Sequence, residues 1–178
     1  MNEKTRLLTF SALMAAAAFV LMLLGSLLSV LDITVACLAS FAVVLVLLEA
    51  GYAWALMTYG VASILSVLIL GNKTPALFFA AFFGLYAIVR FLMNKVRPFW
   101  FMWAVKIISF NAMLALGFVM WQFVFTIGSL EGVPFYAAVI VFLLAQAVFV
   151  LYDVAIAKLV RIYFIRFHES VSKILRGK

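Results

Sequence analysis

At 178 residues, 70% hydrophobic and 11% charged, with a net charge of +7, the chain has a mean hydropathy of +1.31. Typical globular chains carry about 25% charged residues, so this composition excludes a water-soluble domain and makes the bilayer the solvent. The apolar runs are continuous rather than alternating with polar residues, which excludes a transmembrane barrel and predicts an all-α integral membrane protein.

The first run, Leu7 to Val30, has roughly the twenty apolar residues needed to cross a bilayer core of about 30 Å. Lys4 and Arg6 ahead of it imitate a signal peptide, but the run exceeds an h-region of about 7–15 residues, so it is expected to be retained. Within it, SALMAAAA places Ser11 with Ala15 and Ala12 with Ala16 one helical turn apart. Small residues at that spacing let a second helix approach closely, whether a neighbour in the same fold or a partner.

Polar punctuation then divides the chain into five further spans: 33–48, 52–70, 76–93, 99–127 and 135–157. The fifth is long enough to be tilted or to extend beyond the hydrocarbon. The tail, 158–178, is basic and amphipathic, and continues the sixth helix or lies along the inner surface. Its Arg161, Arg166, Lys173 and Arg176 suit anionic headgroups, and His168 is expected on the same solvated surface. Cys37, the single cysteine, excludes an intrachain disulfide and a CxxC metal site. It reads as a small apolar residue.

Basic residues accumulate on the cytoplasmic side of membrane proteins. With the N-terminus inside, that side holds Lys4, Arg6, Arg90, Lys95, Arg97 and the six basic residues of the tail, against Lys73 alone outside. The expected topology is a single domain of six transmembrane helices with both termini cytoplasmic. The positive charge is thereby explained without nucleic acid.

Catalytic motifs are missing: the sequence contains no HExxH, no GxxxxGK[ST], no GxSxG, and one histidine only. ATP hydrolysis, a metal centre and a catalytic site are therefore not expected. Ionisable residues inside spans are costly and therefore informative. Lys106 is about eight residues into the fifth span, roughly 12 Å deep at 1.5 Å per residue, and Asp153 lies at a similar depth in the sixth. An ion pair between them is expected, with Glu49 as another possible partner for Lys106. Removing Lys106 alone should then cost more than removing both, because a buried charge would remain.

Polar residues also gather at the outer end: Asp32, Asn72, Lys73, Thr74, Trp121, Gln122 and Glu131. They suit the rim of a small-molecule pocket, or are polar loops with Trp121 as an interfacial anchor. Asn111 and Gln146, both mid-span, are expected to bridge helices.

Six helices, both ends inside, and SALMAAAA in the first helix resemble the substrate-binding S components of energy-coupling factor transporters, found in bacterial and archaeal cytoplasmic membranes. The family's Ala-xxx-Ala motif maps onto Ala12 and Ala16, with Ser11 and Ala15 alongside. The resemblance implies docking of a transmembrane T subunit on this face and two cytoplasmic ATPases that supply energy. It implies a small organic substrate bound near the outer face and released inside by toppling of the subunit, with Asp32, Asn72, Lys73, Trp121, Gln122 and Glu131 as site residues by position. The metal-transporting branch would carry several histidines, including N-terminal ones, which this chain lacks; an organic micronutrient is expected instead. The alternatives are a six-helix scaffold subunit of the cell-elongation type, which would use the Ala face to bind another membrane protein, and a small membrane enzyme.

Overall fold

A computed structural model describes residues 3–28, 31–93, 99–125, 135–168 and 171, and among them the regular structure is entirely helical. The elements are α1 (Glu3–Leu28), α2 (Asp32–Glu49), α3 (Tyr52–Ile69), α4 (Thr74–Phe78), a π-helical turn (Phe79–Phe83), α5 (Gly84–Met93), α6 (Phe99–Phe125) and α7 (Phe135–Arg166). Helices are what this composition allows, because a lipid-facing backbone must satisfy every N–H and C=O within its own segment. Five runs are long and apolar enough to cross a membrane: Lys4–Leu28, Asp32–Glu49, Tyr52–Ile69, Thr74–Leu92 and Phe142–Arg166. α6, 27 residues long, falls at the fifth expected span and contains a shorter apolar stretch, Trp103–Ala115. Their outward faces carry large apolar side chains, among them Leu13, Leu27, Met57, Leu68, Leu143 and Leu151, as expected of surfaces solvated by lipid.

α2 is the hub, packing against α1, α3, α4, the π turn, α5 and α7. Ala36, Ala39, Val43 and Val46 on α2 meet Ala18 and Met22 on α1, Ala55 and Ala62 on α3, and Ala76 on α4 in one core. Lipid tails are as apolar as these side chains, so small residues that permit close backbone approach hold such helices together rather than hydrophobic burial.

Two glycines are fixed by geometry. Gly51, at the turn from α2 to α3, has φ +89°, a region open to glycine and closed to most side chains. Gly84 follows the π turn, where an added Cβ would come within 2.7 Å of the Tyr59 ring. α3 therefore lies directly on the broken helix. Proline at the start of α4 suits a first helical turn, whose N–H groups have no intrahelical acceptor.

Two features differ from the sequence expectation, and for the tail one of the two expected alternatives is realised. Asp32 is the first residue of α2 rather than a loop residue, where its charge complements the helix dipole. The fourth span is interrupted by the π turn. α7 runs on to Arg166, so the start of the basic tail extends the sixth helix.

Candidate functional site

The described polar side chains form four networks along the bundle and one separate α6–α7 bridge, with an apolar cavity between two of the networks. One of the inner networks is ionic. Lys106 Nζ on α6 donates to Asp153 Oδ2 on α7 at 3.0 Å. The other carboxylate oxygen accepts from Arg90 Nε and, at 2.8 Å, from the Tyr86 hydroxyl, both on α5. Lys106, Asp153 and Arg90 are only 3%, 5% and 8% exposed. Lys106 Nζ also lies 5.3 Å from the centre of the Trp103 ring, close enough for a cation–π attraction. Arg90 corrects the sequence reading, which placed it among the charges of a cytoplasmic segment. It is the last-turn cation of α5, and Tyr86, four residues earlier, shares its face. That spacing was the available signal. With Arg90 present, this buried cluster holds two cations and one carboxylate among the described residues.

A second network joins the π turn to α2, α3 and α7. The π turn shifts the hydrogen-bond ladder to i→i+5 and frees carbonyls for outside donors. The Tyr59 hydroxyl donates to Ala80 O at 2.6 Å and the Tyr152 hydroxyl to Phe83 O at 3.0 Å. Tyr152 also shares a 2.7 Å hydrogen bond with Ser40. None of these residues stood out in the sequence, where tyrosine in an apolar run reads as packing.

Glu49 does not reach Lys106. Its Oε1 accepts from the Tyr163 hydroxyl at 2.7 Å and lies 2.7 Å from His168 Nδ1. The continuation of α7 brings Tyr163 and His168 beside the α2–α3 turn, so His168 is half-buried against Glu49 rather than part of a freely solvated surface.

At the opposite end, Asn72 stitches two connections together. Its Nδ2 donates to Asp32 Oδ2 and its backbone N–H to Ser26 Oγ, each at 3.0 Å, while its Oδ1 accepts from Thr74 N. Lys73 turns back to cap α3, donating to Val67 O at 2.6 Å. Asp32 and Asn72 thus come together, while the Lys73 ammonium is turned to the end of α3; both Asn72 and Lys73 donate to the protein itself. Trp121 and Gln122 lie in α6 with side chains outside the described residues, as is Glu131. Asn111 and Gln146 bridge α6 and α7 through a 3.1 Å hydrogen bond from Gln146 Nε2 to Asn111 Oδ1.

Between the Asn72 stitch and the ionic cluster lies a cavity of about 600 Å³. Ile33 of α2, Leu77, Phe78, Phe82 and Phe83 around the π turn, Phe110 and Met113 of α6, and Leu144, Val148 and Phe149 of α7 line it. Among the described residues its lining contains no charged or hydrogen-bonding side chain. Its floor is aromatic: Phe149 packs edge-on against Tyr86 at 5.1 Å, and Phe83 against Tyr152 at 4.8 Å. The hydroxyls of those two tyrosines point into the networks beneath. The predicted rim residues Asp32, Asn72 and Lys73 are not among its lining.

The first-helix motif divides between two faces. Ser11 and Ala15 are buried at 5% exposure each, facing the interior, where Thr58 of α3 donates to Ser11 O. Ala12 and Ala16 are exposed. Residues one apart sit about 100° round a helix axis, and α3 occupies the Ser11–Ala15 side. Ser11 and Ala15 are therefore corrected from docking residues to internal packing.

No protein-family model, curated protein or solved structure matches the chain. Among the described residues, no group of three His, Cys, Asp or Glu side chains forms a metal-binding cluster.

Proposed function

We propose that the chain is the substrate-binding membrane subunit of an energy-coupling factor type transporter, importing a vitamin-like organic micronutrient across a bacterial or archaeal cytoplasmic membrane. The observation that carries this reading is the cavity of about 600 Å³, within the range of roughly 300–1,000 Å³ typical of small-molecule sites. A scaffold subunit has no use for such a space.

The charge distribution supports both termini in the cytoplasm, with Lys73 outside. In that orientation the cavity occupies the outer half of the bundle, reached by substrate from outside, and the ionic cluster lies on its cytoplasmic side. Ala12 and Ala16 form the small-residue strip that a T subunit docks against, and two cytoplasmic ATPases on that assembly supply the energy. The chain's own part is to hold substrate and present it on toppling.

Two measurements test the reading together. Thermal stability of the purified protein is followed against a panel of organic micronutrients and precursors; a ligand at 100 times its Kd stabilises by about 2.7 kcal/mol. T-subunit co-purification is compared between wild type and Ala12→Leu/Ala16→Leu. A stabilising ligand and loss of co-purification are expected. Silence across the panel with co-purification unchanged would remove the transport reading in favour of a scaffold.

A further inference from the structure

We propose that the cavity selects uncharged, ring-bearing apolar molecules and turns away ionised ones. The inference rests on the transport reading and narrows its substrate class.

The walls carry the argument. Phe78, Phe82, Phe83, Phe110 and Phe149 face the space from the π-turn region, α6 and α7. Phe110 and Phe149 stack with centroids 4.2 Å apart, and Phe82 meets Phe110 edge-on at 4.9 Å. Ring faces and ring edges are thus both presented, the two geometries in which a further flat ring packs well.

Most nearby polar handles are already committed elsewhere; Asp32 Oδ1, buried without a hydrogen-bond partner among the described residues, lies outside the lining and, as a carboxylate oxygen, would repel an anion. The carbonyls freed by the π turn would be the natural main-chain acceptors, but the Tyr59 and Tyr152 hydroxyls occupy Ala80 O and Phe83 O. Asp153 accepts from Lys106, Arg90 and Tyr86 below the aromatic floor. Asn72 and Lys73 are bonded to the protein at the other end. An ionised ligand group would leave water with no partner in the described lining to replace it, and burial of a charge under those conditions is strongly unfavourable. An uncharged ring loses no charge hydration by entry, and a single ring hydroxyl costs far less to bury than an ionised group.

A matched pair of probes tests this: 2-naphthol, neutral at pH 7, and 2-naphthalenesulfonate, which adds a fixed charge to the same ring. Binding to the full-length protein in nanodiscs is read by saturable fluorescence change and by thermal stability. The expected result is saturable 2-naphthol binding and at least tenfold weaker sulfonate binding. Met113→Trp and, from the facing helix, Ala145→Phe fill the cavity and should each abolish the 2-naphthol signal. Leu143→Trp, on the lipid-facing side of α7, should leave it intact. Circular dichroism and gel filtration establish that each variant is folded.

Equal or tighter sulfonate binding overturns the proposal, as does a 2-naphthol signal indifferent to both filling variants, which would mark partition into lipid. A photoreactive fatty acid that labels α6 and α7 and is not displaced by 2-naphthol also overturns it, because a lipid chain would then be the occupant. If a charged micronutrient stabilises the protein and 2-naphthol does not, the substrate class fails while the transport reading stands. If 2-naphthol binds as expected but no T subunit associates, the transport reading fails while the cavity's selectivity stands.

Discussion

Removing Asp153 should damage the protein far more than removing either of its cationic partners. At an effective dielectric of about 20, unit charges 3.0 Å apart, the Lys106–Asp153 separation, attract by about 5.5 kcal/mol before desolvation is subtracted. Lys106→Ala leaves Asp153 with Arg90 and the Tyr86 hydroxyl, a neutral pair still hydrogen-bonded. The loss is that of one charge-assisted hydrogen bond, about 1.5–3 kcal/mol. Asp153→Ala leaves two buried cations without their carboxylate, and orphaning a buried charge costs about 3–5 kcal/mol. The double variant Lys106→Ala/Asp153→Ala still leaves Arg90 orphaned, so it should be worse than Lys106→Ala alone. This reverses the order expected from a simple Lys106–Asp153 pair, in which removal of both charges rescues the single variant. Unfolding free energies in mixed detergent micelles supply the ranking. A double variant more stable than Lys106→Ala would show that Arg90 does not share the carboxylate.

Three further predictions concern the frame around the cavity. Gly51→Ala must hold an alanine at φ +89° and ψ −176°, a region essentially confined to glycine, and should destabilise by about 1–3 kcal/mol in the same unfolding assay; open space around Gly51 means that no side-chain clash contributes. Tyr152→Phe leaves the Phe83 carbonyl of the π turn without its donor and should cost about 1–3 kcal/mol, whereas an unchanged stability would show the turn to be satisfied otherwise. Ala15→Leu overpacks a buried position and should cost about 1–3 kcal/mol, while Ala12→Leu/Ala16→Leu should leave the unfolding midpoint alone and act on partner binding only.

The sequence made the helical class and the approximate spans legible because twenty-residue apolar runs have few other physical solutions. It also exposed Lys106 and Asp153, since intramembrane charges are rare enough to stand out singly. Arg90 was hidden by its position: near the end of a span, a basic residue reads equally as a topology signal or as part of a buried cluster, and only the approach of α7 decides. The π turn was invisible because Phe79–Phe83 is as apolar as its neighbours, and its effect is a shift in hydrogen-bond ladder rather than in hydropathy. The cavity was hidden for a related reason. Polar residues near the outer end drew attention to the loops, while the space itself is walled by phenylalanines that sequence reasoning assigns to packing.

The position of the ionic cluster beneath the cavity suggests why such a costly arrangement is tolerated. Apolar helices in lipid gain little from pressing their aliphatic faces together, so the separation of α6 from α7 rests on a few specific contacts: the Phe110–Phe149 stack in the wall itself, the Gln146–Asn111 hydrogen bond and the ionic cluster. The Asp153 carboxylate acts from below, joining α5, α6 and α7 through Arg90, Lys106 and Tyr86, while Tyr152 joins α7 to α2 and the π turn. Replacing a buried ionic cluster by apolar residues is often neutral or stabilising, so an Arg90→Met/Lys106→Met/Asp153→Leu variant should fold at least as well as the double variant with Arg90 orphaned. If the cluster sets the spacing of the walls, that folded variant should nevertheless bind 2-naphthol at least several-fold more weakly than wild type, although no substituted residue touches the cavity. Retained affinity would reduce the cluster to a structural pairing of helices with no bearing on the site above it.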